Sequence, residues 1–194
     1  AIIVPLLKVF SAKRVAEIKR AYPFDEADIP ADKKKHFNSV NDDDCIKYIQ
    51  ELDPDIVIVN GTRIISSKVL QCTNAVFINM HTGITPIYRG VHGGYWALIN
   101  NDRENCGVTI HKVDKGVDTG NVLYQAKIPV TRKDNFVTYP YLQFGEGLSL
   151  IKKSIDDIVA DKSTSISSPS MESKLWYHPT IWQYLANRIL KGKK

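Results

Sequence analysis

The 194-residue sequence predicts an α/β fold, with a mostly parallel central sheet that has an antiparallel part and is flanked by helices. Three observations carry this. The runs "PDIVIVNG" (54–61) and "AVFIN" (75–79) are short, continuous and apolar and end in Asn or Gly, the pattern of strands buried on both faces of a parallel sheet. A helix-spaced segment precedes the first run, so helix and buried strand alternate as crossover connections require. Later, two β-rich segments are joined only by "DKGVDTG" (114–120), and so short a connection makes them antiparallel neighbours.

The opening "AIIVPLLKVFSAKR" is interrupted by Pro5 and Lys8, short of the roughly 18 apolar residues of a membrane span, so no membrane association is expected. It has no preceding basic segment and does not read as a signal peptide. In "NDDDCIKYIQEL" (41–52), Asn41 or Asp42 is the expected N-cap, Cys45, Ile46, Ile49 and Leu52 form one face, and Pro54 stops the helix. After the two apolar strands, "GGYWALIN" (93–100) suits a helix with Trp96, Leu98 and Ile99 toward the core. "CGVTIHKV" (106–113) and "NVLYQAKIPV" (121–130) are the antiparallel pair. "LSLIKKSIDDIV" (148–159) has helical spacing through Leu148, Ile151, Ile155 and Ile158. The expected organisation is one α/β domain over 1–160, then a Ser-rich linker and a C-terminal aromatic helix over 161–194, with Pro179 near the helix start and Gly192 near its end.

A hydrophobic content of 43% suffices for the core of one domain. The excess of 26 basic over 21 acidic residues gives +5. These charges are scattered (Lys13/Arg14, Lys19/Arg20, Lys33 to Lys35, and the tail) without interleaved aromatics, so nucleic-acid binding is not expected. Cys45, Cys72 and Cys106 are three and far apart, which leaves at least one outside any intramolecular disulfide and points to a reducing, cytoplasmic compartment.

Ligands of open parallel sheets bind beyond the carboxyl ends of the strands. The Asn79-x-His81 pair leaves the second apolar strand there, Arg89 and Gly90 follow on the same loop, and Asp118 lies on a later turn able to return to the same mouth. An amide, an imidazole and a carboxylate suit acyl transfer to an amine. Asn79 and a donating His81 would stabilise the charge that develops on the carbonyl oxygen, while Asp118 would orient His81 and help remove the amine proton. The bland reading is that all three are turn residues. A metal site from His81, His92 and His111 lacks tight ligand spacing, and none is expected. "VDTG" resembles the aspartic-protease motif but occurs once, whereas that chemistry needs two carboxylates. Trp176, Tyr177, Trp182 and Tyr184 are read as docked on the core or on a partner subunit, the second arrangement implying a homodimer, rather than stacked on a nucleotide.

Taken in order, "PDIVIVNGTRIIS", "INMHTGITPIYRG" and "GVTIHKVDKGVDTGNVLYQ" resemble the folate-dependent formyltransferase family, whose members act on glycinamide ribonucleotide, methionyl-tRNA, amino sugars or, as hydrolases, water. The resemblance implies a Rossmann-like formyltransferase fold, with residues 1–160 as its catalytic domain and 10-formyltetrahydrofolate as co-substrate. It also implies catalytic roles for Asn79, His81 and Asp118. Arg63, Ile64 and Ile65 match the loop lining the pterin pocket, and Lys115, Gly116 and Val117 the loop whose backbone meets the pterin. Thr82, Gly83, Arg89, Gly90 and His92 are the expected acceptor residues, the acceptor being a small primary amine, either an amino sugar on a nucleotide carrier or glycinamide ribonucleotide. A formyltetrahydrofolate hydrolase is the alternative, ahead of a non-catalytic folate-binding module. The tRNA acceptor is disfavoured, because only the Ser-rich stretch and one aromatic helix follow Val159. Two departures stand out: His81 is followed by Thr82-Gly83-Ile84-Thr85-Pro86, not the commoner Pro-Ser or Ala-Ser, and the family's first strand and phosphate loop are not visible. Either such residues precede Ala1 in the native chain or the acceptor is held differently.

Overall fold

The computed structural model describes residues 3–166 and 172–192. The chain begins with helix α1 (Ile3–Ala21), which buries Ser11 and Ile18. Helix α2 (Asp43–Leu52) follows a long polar stretch, with Asp42 at its N-cap and the acidic Asp43 and Asp44 in its first turn, where the helix dipole favours them. It ends on a left-handed Asp53 just before Pro54. Its buried face is shorter than the spacing suggests. Cys45 and Ile46 are covered, while Leu52 is 58% exposed because the apolar cluster beneath the helix, with Ile65, Val69 and Phe77, reaches only to Ile49.

Strand β1 (Ile56–Val59) leads through the short helix α3 (Ser67–Leu70) to β2 (Val76–His81), and this crossover makes β1 and β2 parallel. The next connection leaves and re-enters at one end of the sheet. It passes through the two-residue strand β3 (Arg89–Gly90) and helix α4 (Gly93–Ile99), so β4 (Gly107–Lys112) returns antiparallel to β2. Strand β5 (Val122–Lys127) then pairs antiparallel with β4 across the 114–120 turn. The sheet order is β1-β2-β4-β5, and the sheet is mixed as expected. Its balance differs from the expectation: within this four-stranded sheet, among the described residues, two pairings are antiparallel and one is parallel. β1 forms one edge of this sheet, and Ile58 is 50% exposed there, so the expected burial on both faces holds for β2 and not for β1.

Helix α5 (Tyr139–Val159) starts well before Leu148, and the reason its first half is hard to read is physical. Gly145 and Gly147 interrupt the apolar spacing. They are glycines because a Cβ at either position would lie 2.5 Å from the Tyr22 ring or the Met80 sulfur, so they let α1 and the sheet approach the helix axis. Downstream, Ile151 packs on Ile78, Ile110 and Leu123 of the sheet. Of the Ser-rich segment, Ile166 forms a bridge to Val122, and 167–171 lie outside the described residues. Strand β6 (Leu175–Trp176) pairs with β3, and helix α6 (Ile181–Leu190) opens with a Thr180/Gln183 capping box. Trp176 stacks on Trp96, and Tyr184 is buried beside Tyr95 and Phe136, whereas Trp182 is 77% exposed; the aromatic segment docks on the core only in part. No helix among the described residues is long and apolar enough to cross a membrane.

Two polar clamps tie these layers. Asp134, with its side chain fully enclosed, receives Arg14 Nε at 2.7 Å and Arg14 Nη2 at 3.1 Å from α1, together with the Thr131 N–H and hydroxyl. Burial works against this carboxylate, but the Arg14 and Thr131 hydrogen bonds outweigh it and hold its pKa below the ordinary value. Asn41, in place of capping α2, reaches the 64–66 loop. Its Nδ2 donates to the Ile64 carbonyl at 3.0 Å and its Oδ1 accepts from Ser66 N–H at 2.8 Å.

Replacing Arg14 by Met should destabilise the protein by about 3 kcal/mol at neutral pH in urea unfolding, since a buried carboxylate loses its cation. Because the folded Asp134 titrates below the unfolded value, its stabilisation is complete above that unfolded value and is lost as pH falls through the folded one. The gap between wild type and Asp134→Asn should therefore close below about pH 4. Asn41→Ala should speed amide exchange at Ser66 by about fivefold or more, as expected for one lost hydrogen bond of about 1 kcal/mol, with little change in global stability.

Candidate active site

Alternation along β2 puts Phe77, Asn79 and His81 on one face. Phe77 is packed among Ile46, Ile65 and Val69; past it the α2/α3 layer ends, and Asn79 and His81 face a cleft of about 480 Å³. The register with β4 sets His111 opposite Asn79 and Thr109 opposite His81, so all four share that face. Thr109 braces the loop after His81. Its hydroxyl donates to the Gly83 carbonyl at 2.7 Å and accepts from Thr85 N–H, while Gln125 Nε2 donates to the Thr85 carbonyl at 2.8 Å.

Asp118 arrives from the β4–β5 turn with φ of 51°, a left-handed conformation that Asp tolerates better than most residues. Its Oδ2 accepts the Gly90 N–H at 2.8 Å and lies 3.3 Å from His81 Nδ1. Its Oδ1 accepts from Asn79 Nδ2 at 3.4 Å and lies 3.5 Å from His111 Nε2. Gly90 is required here: its φ is 90°, and a Cβ would collide with the Trp176 carbonyl of β6. Burial opposes the Asp118 charge, but the His111 and His81 imidazoles and the Gly90 N–H outweigh it, so the carboxyl titrates below its ordinary value.

The imidazoles are fixed by their outer partners. His81 Nε2 is 2.7 Å from the Tyr88 carbonyl, which assigns the ring proton to that nitrogen and turns the Nδ1 lone pair toward Asp118. Burial pushes the His81 pKa down, against the pull of Asp118 and the Tyr88 carbonyl, so the neutral ring and the carboxylate together form a receptor for one proton. His111 Nδ1 is 2.8 Å from the Lys112 carbonyl, and its Nε2 faces both Asn79 Nδ2 at 3.2 Å and Asp118 Oδ1 at 3.5 Å. The Asn79 N–H groups thus point at His111 and Asp118, and the 3.4 Å contact to Asp118 is long enough to yield to a better acceptor.

Arg63, Ile64 and Ile65 line one side of the cleft with Gly116 and Val117, and Lys115 lies outside the lining. The Gly116 N–H donates to Asp114 Oδ1, and the Val117 carbonyl accepts from Arg89 Nη1 at 2.9 Å. Of the expected acceptor residues, Thr82, Gly90 and His92 face the cleft, while Gly83 and Arg89 stand behind its wall. Sequence reasoning missed three participants: Asn41, which holds the 64–66 loop; His111, legible only as a strand residue until register is known; and His178, whose Nδ1 is 3.0 Å from His92 Nε2 at the cleft wall. Burial and the neighbouring His178 push the His92 imidazole down to about 4. His92 is turned to His178 and not to His81 or His111, and no group of three or more ligating residues arranged for a metal occurs among the described residues.

The chain is similar to known proteins in both sequence and fold. The chain is 35% identical over 118 residues to a methionyl-tRNA formyltransferase of Thermodesulfovibrio yellowstonii, covering 60% of this chain but only 38% of that relative. Its fold matches a sugar N-formyltransferase from Shewanella sp. with a TM-score of 0.62 at 20% identity, over 95% of this chain and 82% of that one. It also matches a formyltransferase from Anoxybacillus kamchatkensis, solved with UDP-4,6-dideoxy-4-formamido-L-AltNAc and tetrahydrofolate, with a TM-score of 0.53 at 26% identity, over 63% of this chain and 64% of that one. The family model described as formyl transferase matches residues 6–141, more than half of the chain and the whole stretch from Asn79 to Asp118, so the chain belongs to the formyl transferase family.

Proposed function

We propose that the protein transfers a formyl group from 10-formyltetrahydrofolate to the primary amine of a small phosphorylated or nucleotide-linked acceptor, an amino sugar or glycinamide ribonucleotide. The observation that carries this reading is the convergence of Asn79, His81 and Asp118 at one end of the cleft, with the carboxylate 3.3 Å from a neutral imidazole nitrogen. The cleft volume of about 480 Å³ suits a pair of small ligands better than a folded RNA. The relative from Anoxybacillus kamchatkensis was solved with a formamido sugar nucleotide and tetrahydrofolate, which supports a folate and a sugar-type acceptor.

In this reading the folate lies along residues 61–65 and 116–117, with the exposed Ile64 as an apolar contact, and the acceptor approaches past Gly90 and His92. As the amine nitrogen attacks the formyl carbon, negative charge grows on the formyl oxygen, and an Asn79 N–H leaves its long contact with Asp118 to meet it. The nitrogen becomes positive and sheds a proton, which the His81–Asp118 pair accepts between Nδ1 and Oδ2; as the tetrahedral intermediate collapses, the bond between the formyl carbon and folate N10 breaks and N10 takes up that proton, releasing tetrahydrofolate and the formamide. His81 Nε2 is already committed to the Tyr88 carbonyl, so the ring acts on the proton side and Asn79 on the oxygen side. Three free cysteines fit a reducing, cytoplasmic setting.

Water in place of the amine would make the same centre a hydrolase. Tetrahydrofolate formation that requires added amine and yields a formylated product supports transfer, and equal formate release without amine would favour hydrolysis. Asn79→Ala, His81→Ala and Asp118→Ala should each lower kcat by on the order of 10²- to 10³-fold while the far-ultraviolet spectrum stays native; full activity in all three would refute the assignment. Because His81 is held below its ordinary 6.5, the acid limb of kcat at saturating amine should fall below pH 6.5, and an acid limb above that value would contradict the neutral ring.

A further inference from the structure

A surface helix ordinarily turns its apolar residues to the core and its polar ones to water, and α6 does the reverse. Ile181, Trp182, Leu185, Ala186, Ile189 and Leu190 fall together on one half of the helix, with no charged side chain among them. The other half carries Gln183, Tyr184, Asn187 and Arg188, with Lys191 following, and it is the half that meets the rest of the chain. Tyr184 is buried beside Tyr95 and Phe136, Asn187 Nδ2 donates to the Tyr95 hydroxyl at 3.1 Å, and Lys191 Nζ donates to the Ile99 carbonyl at 3.3 Å. Of the apolar half, Leu185 touches the core at its margin, while Trp182 and Ile189 are each 77% exposed, Leu190 82% and Ile181 43%. These last four leave on the order of 600 Å² of apolar side chain open, most of the roughly 800 Å² per partner that a standard interface buries.

We propose that the outer half of α6 is a dimer interface and that its occupant is the same helix of a second copy of this chain. The inference goes beyond the formyl-transfer reading and does not depend on it. Charge favours a second copy over an anionic membrane surface. Arg188 is turned to the Tyr184 hydroxyl on its own helix and Lys191 to the Ile99 carbonyl, so these cations are committed within the chain and not offered to headgroups. The same lack of charge on the apolar half removes the repulsion that an identical face would otherwise meet. Shape agrees, because Trp182, Ala186 and Ile189 run large, small, large along the stripe. A twofold axis beside Ala186 sets the two helices antiparallel, brings Trp182 against the partner's Ile189 and Ile189 against the partner's Trp182, and lets the axes approach over the small residue.

The test is sedimentation velocity of the full chain from about 1 to 100 μM, which should show a concentration-dependent dimer. Trp182→Glu and Ile189→Glu should each raise the dimer dissociation constant by about 30-fold or more, whereas Val159→Glu, at the exposed end of α5, should leave it within about twofold. Native far-ultraviolet spectra and melting of these exposed-site variants separate lost pairing from unfolding. The double variant Trp182→Lys/Ile189→Glu places opposite charges across the axis at both contacts and should pair more tightly than Ile189→Glu alone. A monomer at every concentration overturns the proposal, as does a dimer that neither single substitution weakens, one that Val159→Glu abolishes, or a double variant no tighter than Ile189→Glu. Vesicles of phosphatidylcholine and phosphatidylserine are tested alongside, and a monomer that binds them through Trp182 overturns it too, because a membrane is then the occupant.

Discussion

Four segments of the chain meet at the Asp118 carboxylate: the end of β2 through Asn79 and His81, β3 through the Gly90 N–H, β4 through His111, and the β4–β5 turn that carries Asp118 itself. A carboxylate this enclosed is stable only when hydrogen-bond donors such as the Gly90 N–H and the Asn79 amide offset its burial. The surrounding structure fulfils that condition and is fixed by it. Gly90 must present its N–H, so β3 needs a left-handed glycine there, and β6 closes over that glycine so tightly that no side chain fits. His81 and His111 each give their outer nitrogen to a backbone carbonyl, Tyr88 or Lys112, and turn the inner one toward the carboxylate. The arrangement holds one proton vacancy beside one mobile amide donor.

Support for this node comes from places distant in sequence. Gln125 on β5 and Thr109 on β4 hold the 83–85 loop, and Arg89, turned away from the cleft, fastens β3 to the Val117 carbonyl. The C-terminal segment acts on the same strand from the other side. Trp176 Nε1 donates to the Ile87 carbonyl, Trp96 Nε1 donates to the Tyr177 carbonyl, and β6 pairs with β3. Residues 172–192 are thereby joined to the wall of the site that carries Gly90 and His92.

Much of this was legible in the sequence because local pattern and local structure coincide. The apolar run ending in Asn79 and His81 is the strand that delivers them, and the short polar link after Val113 does make β4 and β5 antiparallel. What stayed hidden depended on partners far along the chain. His111 looks like any strand residue until antiparallel register puts it opposite Asn79. Asn41 looks like a helix cap, yet its side chain serves a loop 25 residues on. Glycines admitted for close packing masked the first half of α5, and Ile58 lies on an edge strand whose composition reads as interior. Arg89, expected on the acceptor side, has a partner that the sequence does not reveal, since its guanidinium donates to the Val117 carbonyl of the later turn.

In the proposed reaction the His81–Asp118 pair would handle the proton and the Asn79 amide the oxygen, with the folate along the 61–65 and 116–117 loops that line one side of the cleft. The most direct test of this division is a crystal structure of the complex with 5-formyltetrahydrofolate. The account places the pterin against Arg63 to Ile65 and Val117, with the formyl oxygen within hydrogen-bonding distance of Asn79 Nδ2 and the formyl carbon beside Asp118. A pterin seated away from these loops, or a formyl group out of reach of Asn79, His81 and Asp118 alike, would contradict it.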